Sequence, residues 1–133
     1  MLVAVADTHT AIWYVFNDPR LSASARSTIE EAVANNDRVG VSSITLAEII
    51  YLIEKGRLHP DTLTRVVAAP GRRRSVLTEV PFNRSVALAM RRVLRSAVPD
   101  MPDRIIAATA LYLGVPVISR DVDIRLSEVP TIW

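Results

Sequence analysis

The chain has 133 residues, half of them hydrophobic, with four glycines and no cysteine. That is enough for one domain with a buried core and leaves no room for a second. Without cysteine there is no disulfide framework, zinc–thiolate site or thiol nucleophile. The 16 basic residues exceed the 14 acidic ones for a net charge of +2, and Lys55 is the only lysine, so chemistry needing a second lysine is excluded. Aromatic residues make up 5%, which argues against a platform of rings stacking nucleic-acid bases but leaves arginine–phosphate contacts open.

The opening MLVAVADTHT lacks a basic n-region and soon reaches Asp7. Neither a signal peptide nor a spanning helix is expected there, and a cytoplasmic chain without a membrane partner is the expectation. Residues 2–6 form a short apolar run without helical spacing, as in a strand of a parallel sheet buried on both faces. A helix is predicted over 8–16, stopped by Asn17-Asp18-Pro19, and a second from Ser22 to about 34, broken by Asn35-Asn36-Asp37. Val39 and Val41 begin another buried strand ending at Ser42-Ser43, followed by a strongly apolar helix over 44–53 that Gly56 closes. A weaker helix is predicted over 60–67. Pro70-Gly71 and then Arg72, Arg73 and Arg74 read as a loop.

A third strand is expected within 76–82, weakened by Pro81. Asn83 then caps a helix to about 97 with Val86, Met90, Val93 and Leu94 as its apolar stripe. Pro99-Asp100-Met101-Pro102 reads as a rigid turn. The helix DRIIAATALYL stops at Gly114, a residue suited to a left-handed C-cap. A buried strand over 115–119, a helical turn over 121–126 and an edge strand over 131–133 complete the chain. Strands alternating with helices predict an α/β fold: a mainly parallel central sheet with helices on both faces, joined by right-handed crossovers.

In such sheets ligands bind at the carboxyl ends of the strands. Asp7 ends the first strand, Asp121 lies just past the strand over 115–119, Glu48 sits one turn into the helix after the second strand, and Asp103 begins the alanine-rich helix; all four are expected at one rim. Carboxylates gathered there repel one another and call for a cation. Oxygen donors without His or Cys suit Mg²⁺ or Mn²⁺, whose chemistry is hydrolysis of a phosphodiester by metal-activated water. Each acid also has a structural reading. Asp103 can complement a helix dipole, Asp100 and Asp121 can be caps, and Thr45-x-x-Glu48 fits a capping box. Their joint placement favours function. His9 either touches substrate or faces the rim as a satisfied polar group, His59 is expected in solvent, and the arginine run at 72–74 either meets phosphates or is solvated. Neutralising the four carboxylates would raise the charge from +2 to +6, a remainder suited to a polyanion.

V-A-D-T-H, S-x-I-T-L-A-E-I, P-D-R-I-I-A-A-T-A, G-V-P-V-I-S-R-D and a closing P-T-I-W, in that order, resemble the PIN-domain ribonucleases, and more narrowly the VapC-like toxins of bacterial type II toxin–antitoxin pairs. The resemblance covers almost the whole chain as a single PIN domain, 1–133. It implies a metal-dependent endoribonuclease acting on RNA, with Asp7, Glu48, Asp103 and Asp121 as catalytic metal ligands. It also implies a homodimer and a cognate VapB-like antitoxin that occludes the site. Ser119 stands where relatives often carry threonine, and Asp123 offers a second carboxylate beside Asp121, which motif position favours. Asp100 matches an acidic position in relatives that steers a water or Arg104, and the Thr8 hydroxyl can hold Asp7 or a water. A receiver domain would need adjacent acids after the first strand and a lysine after the last. A haloacid-dehalogenase-like phosphatase would need an aspartate where His9 stands. A PIN-like module that only binds RNA or protein would be expected to lack one of the acids, and a housekeeping PIN nuclease would share the site without a toxin role.

Overall fold

The structure is a computed structural model describing residues 1–71 and 75–133; the arginine run at 72–74 lies outside the described residues. Five strands, β1 (Leu2–Ala6), β2 (Arg38–Ser42), β3 (Leu77–Val80), β4 (Val117–Ile118) and β5 (Thr131–Ile132), form one sheet in the order β3-β2-β1-β4-β5. All four pairings are parallel. The helices are α1 (Thr8–Val15), α2 (Ala23–Ala34), α3 (Ser43–Glu54), α4 (Asp61–Ala68), α5 (Arg84–Ala89), α6 (Met101–Leu113) and α7 (Val122–Leu126).

The apolar run of β1 divides between two cores with the period-two alternation of a strand. Ala4 and Ala6 pack with Val39, Val41 and Ile118 against Ile12 and Trp13 of α1, Ile29 of α2 and Ile49 of α3. Val5 and Val117 pack on the other face against Val86 of α5, Ile105 and Ile106 of α6, and Ile124 of α7. The architecture is therefore the expected α/β/α sandwich. Six consecutive residues of α6, from Ile105 to Ala110, are buried, which its alanines permit by letting backbones approach closely. Gly40 serves a similar purpose in β2, since a Cβ there would lie 2.9 Å from a methyl of Val80.

Most predicted boundaries hold for identifiable reasons. Asn17 and Asn36 adopt positive φ after α1 and α2, a conformation asparagine tolerates better than most residues. Gly114 takes the left-handed C-cap of α6 at φ 70°. Three expectations need correction. The helix expected from 83 to 97 ends at Ala89 and continues only as a 3₁₀ turn over Met90–Arg92. The reason is Arg104, whose Nε and Nη2 donate to the carbonyls of Val93 and Met90 at 2.9 and 3.0 Å, groups that a continuing helix would use itself. Leu94, assigned to the apolar stripe, is consequently 66% exposed. The rigid turn at 99–102 is instead the start of α6: Asp100 is its N-cap, with Met101 and Pro102 in the first turn, where proline lacks no needed N–H. The strand expected over 115–119 is regular only at Val117–Ile118, although backbone bonds from Val5 to Pro116 and from Ser119 to Ile132 extend its pairing on both sides.

Candidate active site

Asp7 follows β1 directly and caps α1, its Oδ1 accepting the Thr10 N–H at 2.9 Å. Thr10 Oγ1 donates to the Ile118 carbonyl at 2.8 Å and so ties the start of α1 to β4. Ser119, fully buried just past β4, donates its hydroxyl to Asp7 Oδ2 and accepts the Asp121 N–H at 2.9 Å. One side chain thereby fixes the rims of two neighbouring strands relative to each other. Asp121 caps α7, accepting the Ile124 N–H at 3.0 Å.

Glu48 has a different support. Thr8 Oγ1 donates to its Oε1 at 2.5 Å, and Thr8 and Thr45 share a hydroxyl contact at 3.1 Å. Thr8 has a single hydroxyl proton, so with that proton on Glu48 it is Thr45 that donates to Thr8. The capping-box reading of Thr45 and Glu48 falls here. Helix α3 begins at Ser43, and its cap is Ser42, whose Oγ accepts the Ile44 N–H at 3.2 Å. Asp103 lies in the first turn of α6, where its N–H donates to the Asp100 cap at 3.1 Å.

Asp7, Glu48, Asp100, Asp103 and Asp121 line one cavity of about 370 Å³, together with His9, Trp13, Arg120 and Val122. Partial burial and then the charges of Asp121, Asp100, Glu48 and Asp7 push Asp103 up to about 8. Glu48 is also raised, mainly by burial and further by Asp100 and Asp7, while the Thr8 hydrogen bond and His9 pull it down. Both shifts arise from burial and from neighbouring carboxylates, and a positive charge in the cavity would oppose them.

The oxygen-only donor set fits a hard divalent cation. Among the described residues no group of three or more His, Asp or Glu side chains is drawn together closely enough to hold a metal ion as it stands, so the carboxylates share a cavity without forming a finished coordination shell.

All four acids of the predicted quartet reach the cavity, as does Asp100, and Thr8 and Ser119 stand directly behind it. Asp123 and Arg104 do not line it: Asp123 is exposed on α7, and Arg104 is engaged with the turn after α5. Of Asp121 and Asp123, only Asp121 lines the cavity. His9 lies at the cavity with its ring 5.6 Å from Trp13. His59 is exposed in a turn, its Nδ1 accepting the Asp61 N–H at 3.1 Å. Sequence reasoning missed Arg120, Trp13 and Val122. Arg120 was within reach, since it stands between Ser119 and Asp121 at the strand's carboxyl end.

Among the described residues no helix is long and apolar enough to cross a membrane. Over 136 aligned positions spanning both chains completely, the sequence is 28% identical to Ribonuclease VapC22 of Mycobacterium tuberculosis. VapBC2 from Rickettsia felis, solved bound to a DNA fragment from its promoter, superposes with a TM-score of 0.69 at 15% identity, covering 98% of this chain and 97% of that one. A toxin-antitoxin complex from Klebsiella pneumoniae gives 0.58 at 22% identity over 89% of this chain and 86% of that one. The family model described as the PIN domain matches residues 4–130; every element from α1 to α7 falls inside that match, and the chain belongs to the PIN-domain family.

Proposed function

We propose that this PIN domain is a Mg²⁺- or Mn²⁺-dependent endoribonuclease, the toxin of a toxin–antitoxin pair held inactive by a VapB-like antitoxin. The observation that carries the reading is the convergence of Asp7, Glu48, Asp103 and Asp121, from four separate segments, on one cavity. Asp7, Glu48, Asp103 and Asp121 would hold the cation, with Asp100 adding charge at the same rim. When bound, the cation lowers the pKa of water and offsets charge on the phosphodiester. The chain's own contribution is placement: Ser119 fixes Asp7 against the Asp121 backbone, Thr8 orients Glu48, and the Asp100 cap sets the start of α6 beneath Asp103.

The RNA substrate is supported by full-length similarity to a relative named a ribonuclease, and the antitoxin by the toxin-antitoxin complex among the structural neighbours. A cytoplasmic homodimer completes the proposal. Exposed Leu94 and Leu126, which line one groove, offer apolar surface to protein partners. Purified protein is expected to cleave single-stranded RNA in Mg²⁺ or Mn²⁺ and to stop in chelator. Its induced expression is expected to arrest growth unless the antitoxin is co-expressed. Intact RNA in both metals would refute the nuclease reading, and harmless expression of an active enzyme would refute the toxin role.

A further inference from the structure

Resting on the ribonuclease reading, we propose that Arg120 is the residue that grips a substrate phosphate in this cavity, taking a backbone phosphodiester of single-stranded RNA. Five carboxylates line the cavity, and among the described residues Arg120 is its only arginine or lysine. It nevertheless joins no ion pair among the described residues. A guanidinium beside so many acids would be expected to pair with one of them; this one is stacked on an aromatic ring instead.

Its guanidinium carbon lies 4.6 Å from the centroid of the Trp13 ring. That ring is 3% exposed, with Trp133 at 5.8 Å and His9 at 5.6 Å, so it forms a fixed surface. A second arginine, Arg20, stands 5.1 Å from the same ring, but its Nη2 and Nε donate to Asp18 at 2.7 and 3.0 Å. One ring thus carries two guanidiniums, one engaged by a carboxylate and one without such a partner facing the cavity. Stacking leaves the planar donor fork of an arginine available while restricting its rotamers, which favours two-pronged recognition of phosphate. An RNA strand entering an acidic cavity also meets repulsion, which a guanidinium among the lining residues offsets.

The test measures binding separately from cleavage. A labelled single-stranded RNA oligonucleotide is titrated by fluorescence anisotropy, over a range of salt, into protein carrying Asp7→Asn, with and without Arg120→Ala. Loss of one phosphate contact is expected to weaken binding about tenfold and to reduce the slope of log affinity against log salt by about 0.7. Arg120→Gln, closer in length to arginine and uncharged, should reproduce both losses, and Arg120→Lys should recover the slope without the full affinity. In otherwise native protein, Arg120→Ala should raise KM about tenfold with kcat little changed. Unchanged affinity and slope in both the alanine and glutamine variants would overturn the inference while leaving cleavage, and hence the ribonuclease reading, intact. If the native protein cleaves nothing yet binds RNA through Arg120, the ribonuclease reading fails and the phosphate site stands. Absence of any RNA binding would overturn the site.

Discussion

Asp7 and Asp103 face the same cavity, yet the fold equips them differently. Asp7 is almost fully buried and accepts hydrogen bonds from the Thr10 N–H and the Ser119 hydroxyl. Glu48 has the Thr8 hydroxyl and Asp121 the Ile124 N–H. Among the described residues no group donates to the carboxylate of Asp103, whose own N–H is occupied with Asp100, and burial with four neighbouring acids drives it up to about 8. Three carboxylates are thus oriented by hydrogen bonds and the fourth is held toward its neutral form, which the proposed cation would reverse. A rigid three-point frame and one electrostatically strained member amount to a division of labour between positioning and affinity.

The harshest test removes either type of carboxylate. Asp7→Asn and Asp103→Asn should each lower kcat/KM for RNA about a thousandfold or more, since each deletes a candidate cation ligand; chelator should do the same to the native enzyme. Wild-type cleavage by either variant would remove that residue from the quartet. The two should part company in stability. Asp7→Asn replaces an acceptor-only group with an amide facing the Ser119 hydroxyl, whereas Asp103→Asn relieves repulsion.

The next largest effect is expected from the frame itself. Ser119→Ala leaves buried Asp7 without its hydroxyl donor and Asp121 without an acceptor for its N–H, and should cost about 2 kcal/mol of unfolding free energy in a urea titration. Ser119→Thr, which keeps the hydroxyl, should recover most of it. Thr8→Val removes the donor to partly buried Glu48 and the acceptor of the Thr45 hydroxyl, which can rotate to another partner, and should cost about 1.5 kcal/mol. Equal losses for Ser119→Ala and Ser119→Thr would mean that packing, and not the hydrogen bonds, sets the effect.

These supports were the part least legible in the sequence. Asp7, Glu48, Asp103 and Asp121 could be placed because each sits at a fixed offset from an apolar run, and such runs end where the sheet rim begins. The hydroxyls that hold them were harder to pair: Thr8, expected at Asp7 or a water, donates to Glu48 instead, and the hydroxyl on Asp7 comes from Ser119, 112 residues away. Thr45 even carried a plausible local role as a cap until Ser42 took it. Arg104 shows the same limit: its motif position beside Asp103 pointed to the site, but its guanidinium caps carbonyls 11 and 14 residues upstream and ends α5 early. Local signals located the elements and their ends. Contacts between elements decided which polar side chains serve the cavity and which serve the scaffold.

The smallest effect is the most specific to the contrast between Asp103 and its neighbours. A carboxyl held at about 8 in the folded protein against an ordinary 3.8 means that the native state binds more protons than the unfolded chain between those values. Its contribution to stability is therefore fully present below the ordinary carboxylate range and is lost as pH rises through about 8. Asp103→Asn is neutral throughout, so the melting temperatures of metal-free native and variant protein should lie nearest each other at about pH 4, the ordinary range of an aspartate, and separate progressively toward pH 8 in favour of the variant. Because the group is only partly shielded from water, the gap should be on the order of 1 kcal/mol, or about 4 °C. Mg²⁺ binds the ionised carboxylate and should close the gap by stabilising the native protein, increasingly so at higher pH. A variant no more stable than the native protein at pH 8 without metal would show that the fourth carboxylate is not strained, and the proposed division between positioning and affinity would fall with it.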